Sequence, residues 1–208
     1  MKRLLSLDSP PMRFLALIAN LIILNTLFIL TSISLITIGA SLCALQTSIQ
    51  NILRKKDERL IANYFRLFQN NFKQATISWL IIVVLGLLFF LDFRLLGHLF
   101  IALSFLFGVV TILAVVFLAI EISYLFAYIG RYQDKLQVAV KNVLGLSLQH
   151  LFQTVFLVIY NSFIVYFALS SPVALLTMIY LFTFGGFAFI NYFSGVMIKQ
   201  VFDKLERN

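Results

Sequence analysis

Residues 40–53 read Ala-Ser-Leu-Cys-Ala-Leu-Gln-Thr-Ser-Ile-Gln-Asn-Ile-Leu, and whether this stretch crosses a membrane decides the fold. A hydrocarbon core of ~30 Å asks for about 20 apolar residues per helix. This segment is shorter and carries Gln46, Thr47, Gln50 and Asn51, so hydropathy alone would leave it at the interface. Its pattern is amphipathic: Leu42, Leu45, Ile49 and Ile52 recur at helical spacing, with Gln46, Gln50 and Asn51 on the other side. Polar side chains at membrane depth face the interior of a bundle rather than lipid. A crossing helix here is therefore expected to be surrounded by its neighbours. The preceding turn, Thr37-Ile38-Gly39-Ala40-Ser41, offers a relaxed backbone at Gly39 and a capping hydroxyl at Ser41.

On either side lie long apolar runs: Phe14–Ile36, Leu99–Tyr128, Val143–Leu169 and Val173–Ile198. Thr76–Leu91 is shorter, but Phe72 and a snorkelling Lys73 extend it. The first run follows Lys2 and Arg3 as a signal peptide would, yet it exceeds the ~7–15 residues of a signal core and further spans follow. It reads as an uncleaved first span. Composition agrees. The chain is 62% hydrophobic and 12% charged, with a mean hydropathy of +1.01, where soluble domains carry ~25% charged residues. The expected fold is an all-α, polytopic transmembrane helix bundle forming one domain over residues 1–208, with six spans, or five if residues 40–53 stay out.

Charge partition favours six. If residues 40–53 cross, one side holds Lys2, Arg3, Arg13, Arg54, Lys55, Lys56, Arg59, Arg66, Lys73, Arg131, Lys135, Lys141, Lys199, Lys204 and Arg207. Those are fifteen of the sixteen basic residues, leaving Arg94 opposite. If the segment stays out, the split falls to twelve against four. Basic residues mark the cytoplasmic side, so both termini are expected there. The formal charge of +8 is then an orientation signal rather than a nucleic-acid footprint, and no nucleic-acid partner is expected. The outside turns are short: Asp92 to His98, and Ser170-Ser171-Pro172.

The charged turn at residues 54–59 leads into Ile61–Lys73, where Ile61, Tyr64, Phe65, Phe68 and Phe72 share one helical face. That pattern suits an amphipathic interfacial helix at about 61–73. It either anchors in the inner headgroups or docks a cytoplasmic partner, and the candidate contacts are Arg54, Lys55, Lys56, Arg59, Arg66 and Lys73.

The same topology assigns depths to buried polar groups. Glu121, the one acidic residue well inside a span, precedes Arg131 by ten residues, and His150 follows Lys141 by nine. At 1.5 Å per residue both would sit ~13–15 Å from the inner boundary, where adjacent antiparallel helices could bring them together. Asn20, Gln46 and Asn191 fall near that layer, with Asn25 somewhat deeper. A carboxyl at membrane depth costs ~2.5–3.5 kcal/mol on insertion scales and is a functional hypothesis by default. The Asn and Gln residues serve equally for interhelical hydrogen bonds, at ~0.6 kcal/mol each. Gln149, Gln153 and Tyr160 form a further stripe, and Ser104 with Gly108 a small-residue contact, both suited to helix packing.

Enzyme signatures are absent: no HExxH, no GxSxG and no phosphate-binding glycine loop. Two histidines, His98 and His150, cannot build a histidine-rich metal site, so no metal, cofactor or catalytic residue is expected. Cys43, the single cysteine, has no intrachain partner and reads as a small buried residue.

The stretch from Asn25 through Thr37-Ile38-Gly39-Ala40-Ser41, then Phe65-Arg66-Leu67-Phe68-Gln69-Asn70-Asn71-Phe72-Lys73-Gln74-Ala75-Thr76 and Trp79, resembles the YesL family over about residues 12–95. It departs at Leu42-Cys43, where smaller or hydroxyl residues are usual. That family comprises small bacterial integral membrane proteins of unknown function. The resemblance implies a multi-pass protein of the bacterial plasma membrane, often encoded beside carbohydrate-uptake genes, and transfers no catalytic residue. Its implied role is a non-enzymatic accessory subunit of a carbohydrate ABC importer. The alternative is a small permease or membrane-embedded substrate-binding subunit using the polar layer around Glu121 and His150.

Overall fold

A computed structural model describes residues 10–56, 59–95 and 101–206, without the side chains of 10, 93, 95 and 101–106. Lys2, Arg3, His98, Arg207 and the Ser104 side chain thus lie outside the described residues. The described chain is all helical: α1 (Pro10–Thr31), α2 (Ile38–Leu53), α3 (Leu60–Leu95), α4 (Ile101–Tyr132), α5 (Leu136–Gln149), α6 (Leu151–Leu169), α7 (Pro172–Thr183) and α8 (Gly186–Leu205). Of these, α1, α3, α4 and α6 are long and apolar enough to cross a membrane. A fifth span results if α7 and α8 act as one broken span, bent by 81°.

The 16-residue α2 is the hub. It packs against α1, α3, α4 and α8, and every residue from Gly39 to Gln50 except Leu42 is buried. Its two apolar edges seed separate clusters. Ala44, Leu45 and Ile49 pack with Leu21 and Leu24 of α1 and Tyr64 of α3. Ala40 and Cys43 pack with Tyr124 and Ile129 of α4 and Ile198 of α8. The expected enclosure of this amphipathic helix is met.

Close approach to α2 depends on missing side chains. A Cβ on Gly39 would fall 2.3 Å from the Ala75 carbonyl oxygen, and one on Gly130 would fall 1.9 Å from Thr47 Oγ1. Gly39 therefore serves helix contact, not backbone freedom in the turn. Nor does Ser41 cap α2: its hydroxyl donates back to the Thr37 carbonyl at 3.0 Å, a bond within the first turn. Thr37 closes the turn instead, its hydroxyl donating to the carbonyls of Thr31 at 2.6 Å and Ser34 at 2.8 Å. Trp79 Nε1 donates to the Leu35 carbonyl at 2.9 Å, tying α3 to the same turn.

Three expected boundaries are corrected. Residues 61–73 are not a separate interfacial helix but the first part of α3, which runs unbroken for 36 residues, about 54 Å. Nothing between Lys73 and Thr76 breaks a helix, and Tyr64 turns inward, its hydroxyl 2.7 Å from Thr31 Oγ1. The apolar run 143–169 is two helices, parted at His150, whose φ of −122° and ψ of 51° leave the helical region. The run 173–198 breaks at Phe184-Gly185, where Gly185 takes φ +117°, a conformation glycine adopts without penalty. The turn at Ser170-Ser171-Pro172 stands as expected: Ser171 Oγ accepts from the Ala174 N–H at 3.1 Å, and Pro172 opens α7.

One end of the bundle gathers the basic residues. Arg13 of α1 and Lys55 after α2 wall the same cavity, so α1 begins where α2 ends. Arg54, Arg66, Arg131 and Glu206 wall another, bringing in the start of α3 and the ends of α4 and α8. Lys141 of α5 lies beside Leu205 at this end too. Arg94, in the last turn of α3, lies at the far end of its long helix.

Candidate functional site

The expected polar layer separates into parts with different tasks. Asn25, fully buried on α1, serves the break between α7 and α8. Its Nδ2 donates to the Phe182 carbonyl at 2.7 Å, and its Oδ1 accepts from the Ala188 N–H at 3.1 Å. A helix broken at membrane depth exposes carbonyls on one side and N–H groups on the other, and in hydrocarbon each must find a partner. One carboxamide supplies both kinds.

Gln46 of α2 donates to Asn191 Oδ1 of α8 at 3.4 Å, and Asn191 donates to the Phe187 carbonyl at 2.9 Å. One turn along, Gln50 Nε2 donates to the Gly195 carbonyl at 2.8 Å. This line of amides fastens α2 to α8, which is the interhelical role. Asn20 is half-buried and lies apart from them, on the cavity wall shared by Arg13, Lys55 and Tyr192.

Glu121 and His150 share no hydrogen bond among the described residues. His150 sits partly exposed as the C-cap of α5, at the break before α6. The groups that join α4 to this break are Tyr124 and Thr154, 3.2 Å apart through their hydroxyls. Thr154 Oγ1 also lies 3.0 Å from both the Ser147 and the His150 carbonyl oxygens. A second link runs from Asn161 Nδ2 to Ser123 Oγ at 3.2 Å. Tyr124, Thr154 and Ser123 carry no charge and vanish among apolar neighbours in a sequence reading. The stripe of Gln149, Gln153 and Tyr160 is divided by the same break, and Tyr160 reaches the Ile190 carbonyl of α8 at 3.4 Å.

Glu121 itself is 3% exposed, and neither carboxylate oxygen has a hydrogen-bond partner among the described residues. It borders a cavity of about 130 Å³ between α3, α4 and α5, otherwise walled by Ser78 and apolar side chains such as Ile82, Phe117 and Leu125. The Ser78 hydroxyl is already given to the Gln74 carbonyl at 2.8 Å. A buried carboxyl with all its acceptors idle is costly, and a cavity beside it gives a ligand or proton donor somewhere to sit.

The expected partner or headgroup contacts also divide. Lys55, Lys56, Arg59, Arg66 and Lys73 are exposed. Arg54 is not a free contact: its side chain is 15% exposed and its Nη2 lies 2.6 Å from Asp203 Oδ1 and 3.6 Å from Glu206 Oε2. Arg131 completes the lattice, with Nη2 2.6 Å from Glu206 Oε1 and 3.6 Å from Asp203 Oδ1. Its guanidinium also stands 4.8 Å from the Phe202 ring centre, at cation–π distance. Two arginines and two carboxylates thus hold the ends of α2, α4 and α8 in one cluster. Attention to basic residues alone hid it; Asp203 and Glu206, acidic residues in a basic tail, were the signal. No group of three or more metal-ligating side chains occurs among the described residues.

Residues 21–93 match the family model described as a protein of unknown function, DUF624. That match covers α1 to α3 and agrees with the resemblance seen in the same stretch. Neither a curated protein nor a solved structure gives a match.

Proposed function

We propose that the chain is a non-enzymatic, six-crossing protein of the bacterial plasma membrane that docks on a partner through its basic end, both termini being cytoplasmic. The six crossings are α1, α2, α3, α4, the α5–α6 unit and the bent α7–α8 pair. The exposure of Lys55, Lys56, Arg59, Arg66 and Lys73, with Lys56 and Arg66 walling one cavity with the ion-paired Arg54, Arg131 and Glu206, supports this reading. Basic residues massed on one side mark the cytoplasm, and exposed cations on a fixed framework give a partner's acidic surface a defined target. The YesL-like resemblance points to a carbohydrate ABC importer as that partner. Isolation of the tagged protein from native membranes in mild detergent tests it. Transporter subunits should be retained, and less so after charge removal at Lys55, Lys56 and Arg59; repeated recovery of the chain alone would count against it.

Glu121 favours a second reading, a small permease or substrate-binding membrane subunit. A buried carboxyl without internal partners beside a lipid-level cavity is how intramembrane ion or substrate sites are built. Uptake by the protein alone in liposomes, abolished by Glu121→Gln, is the expected result; uptake unchanged by that substitution would make the carboxyl structural.

A further inference from the structure

At the basic end, the side chains of Arg54, Lys56, Arg66 and Arg131 wall one cavity of about 440 Å³, shared with Asn51 and Glu206. Its size falls in the ~300–1,000 Å³ range of small-molecule sites. Four cations meet two nearby carboxylates there, and both carboxylates are held by the two partly buried arginines, Arg54 and Arg131. Lys56 and Arg66 have no ion pair among the described residues, and Arg66 donates only to the neutral Asn63 Oδ1. Among the described residues, the cavity wall is therefore net positive.

The arginines are also under-used. Arg54 Nε and Arg131 Nη1 are buried donors without an acceptor among the described residues, although the Arg131 side chain is only 9% exposed. Leaving a buried charged donor unmet costs more than the ~1–3 kcal/mol of a neutral one. Both guanidiniums are fixed in advance, by Asp203 and Glu206 and, for Arg131, by the ring of Phe202. Fixed, planar donors lose little freedom on meeting a planar or tetrahedral oxyanion. The cavity lies where the helices end, the level at which basic pockets between membrane helices hold phosphate headgroups.

We propose that this cavity is a binding site for a phosphate-bearing anion, with Lys56 and Arg66 as the mobile ligands and Arg54 and Arg131 as the fixed floor. The anion is either an acidic lipid headgroup or a small soluble phosphate. The site goes beyond the docking reading and does not rest on it, since a chain that co-purifies with nothing would still carry it.

The test uses the full chain in a neutral detergent at constant ionic strength, with chloride as the control salt. Probes are inorganic phosphate, glycerol 3-phosphate and mixed micelles of phosphatidylglycerol against phosphatidylcholine, read by the shift in thermal midpoint and by native mass spectrometry. Saturable binding of at least one phosphate probe is expected, weakened tenfold or more in Lys56→Gln/Arg66→Gln. Lys73→Gln/Lys204→Gln removes the same charge from that end outside the cavity and should leave affinity within about twofold. Binding confined to phosphatidylglycerol assigns the site to a headgroup; binding of inorganic phosphate or glycerol 3-phosphate assigns it to a soluble phosphate. Absence of saturable binding by every probe, or equal weakening by both double variants, would overturn the proposal.

Discussion

Arg54 Nη2 and Asp203 Oδ1 lie 2.6 Å apart, joining the end of α2 to the last turns of α8 across 149 residues of sequence. Half-exposed carboxylates limit what each pair contributes, because solvent screens them. Asp203→Asn alone should therefore cost about 1 kcal/mol. Asp203→Asn with Glu206→Gln strips Arg131 of both carboxylates and should cost about 3 kcal/mol, the regime of an uncompensated buried charge. Thermal unfolding in one detergent compares them; an unchanged midpoint in the double variant would show that the cluster does not hold the helix ends.

Asn25 gives a sharper substitution. Asn25→Leu keeps the branching at Cγ but leaves the Phe182 carbonyl and the Ala188 N–H without their side-chain partner. The expected loss is about 2–4 kcal/mol, one to two unmet buried groups. Asn25→Asp keeps the acceptor for Ala188 but places a carboxyl against the Phe182 carbonyl at a fully buried position, so it should be at least as damaging as Leu. If Leu and Asp were equally mild, the break would be stabilised elsewhere.

Gly130 makes a packing prediction. Gly130→Ala puts a methyl group 1.9 Å from Thr47 Oγ1 and 3.2 Å from Cys43 Sγ, so α2 and α4 must separate. Overpacking of this kind costs about 1–3 kcal/mol. Removing the hydroxyl with Thr47→Ala should recover part of that loss in a double-mutant cycle. Strictly additive effects would mean that the helices shift without meeting.

Topology can be read with single cysteines. Cys43 is fully buried, so the native background toward a membrane-impermeant maleimide should be low. Leu35 before α2 and Lys55 after it are both exposed. If α2 crosses, Leu35→Cys labels in intact cells and Lys55→Cys only after permeabilisation. Labelling of both from the same side would rule out the proposed six crossings and the proposed cytoplasmic N-terminus.

The amphipathic pattern of residues 40–53 was enough to foresee a helix enclosed by others, because polar groups at membrane depth have nowhere else to go. What could not be foreseen was set by contacts distant in sequence. The break at His150 has no proline or glycine to announce it and coincides with Thr154 binding two carbonyls of the preceding turn. The break at Phe184-Gly185 carried a glycine signal concealed by unbroken apolarity on both sides. The start of α3 misled through composition: polarity changes near Lys73, yet no residue there ends a helix.

The amides of α2 find their partners 145 residues further along the chain, at Asn191 and Gly195. During synthesis the ribosome therefore delivers α2 long before the surface that completes it. If α2 crosses, a short helix with unmet amides is a poor candidate for release into lipid on its own, and shelter between α1 and α3 until α8 arrives would meet that need. The contacts that complete α2 are thus made last, with the late helix sealing the early one.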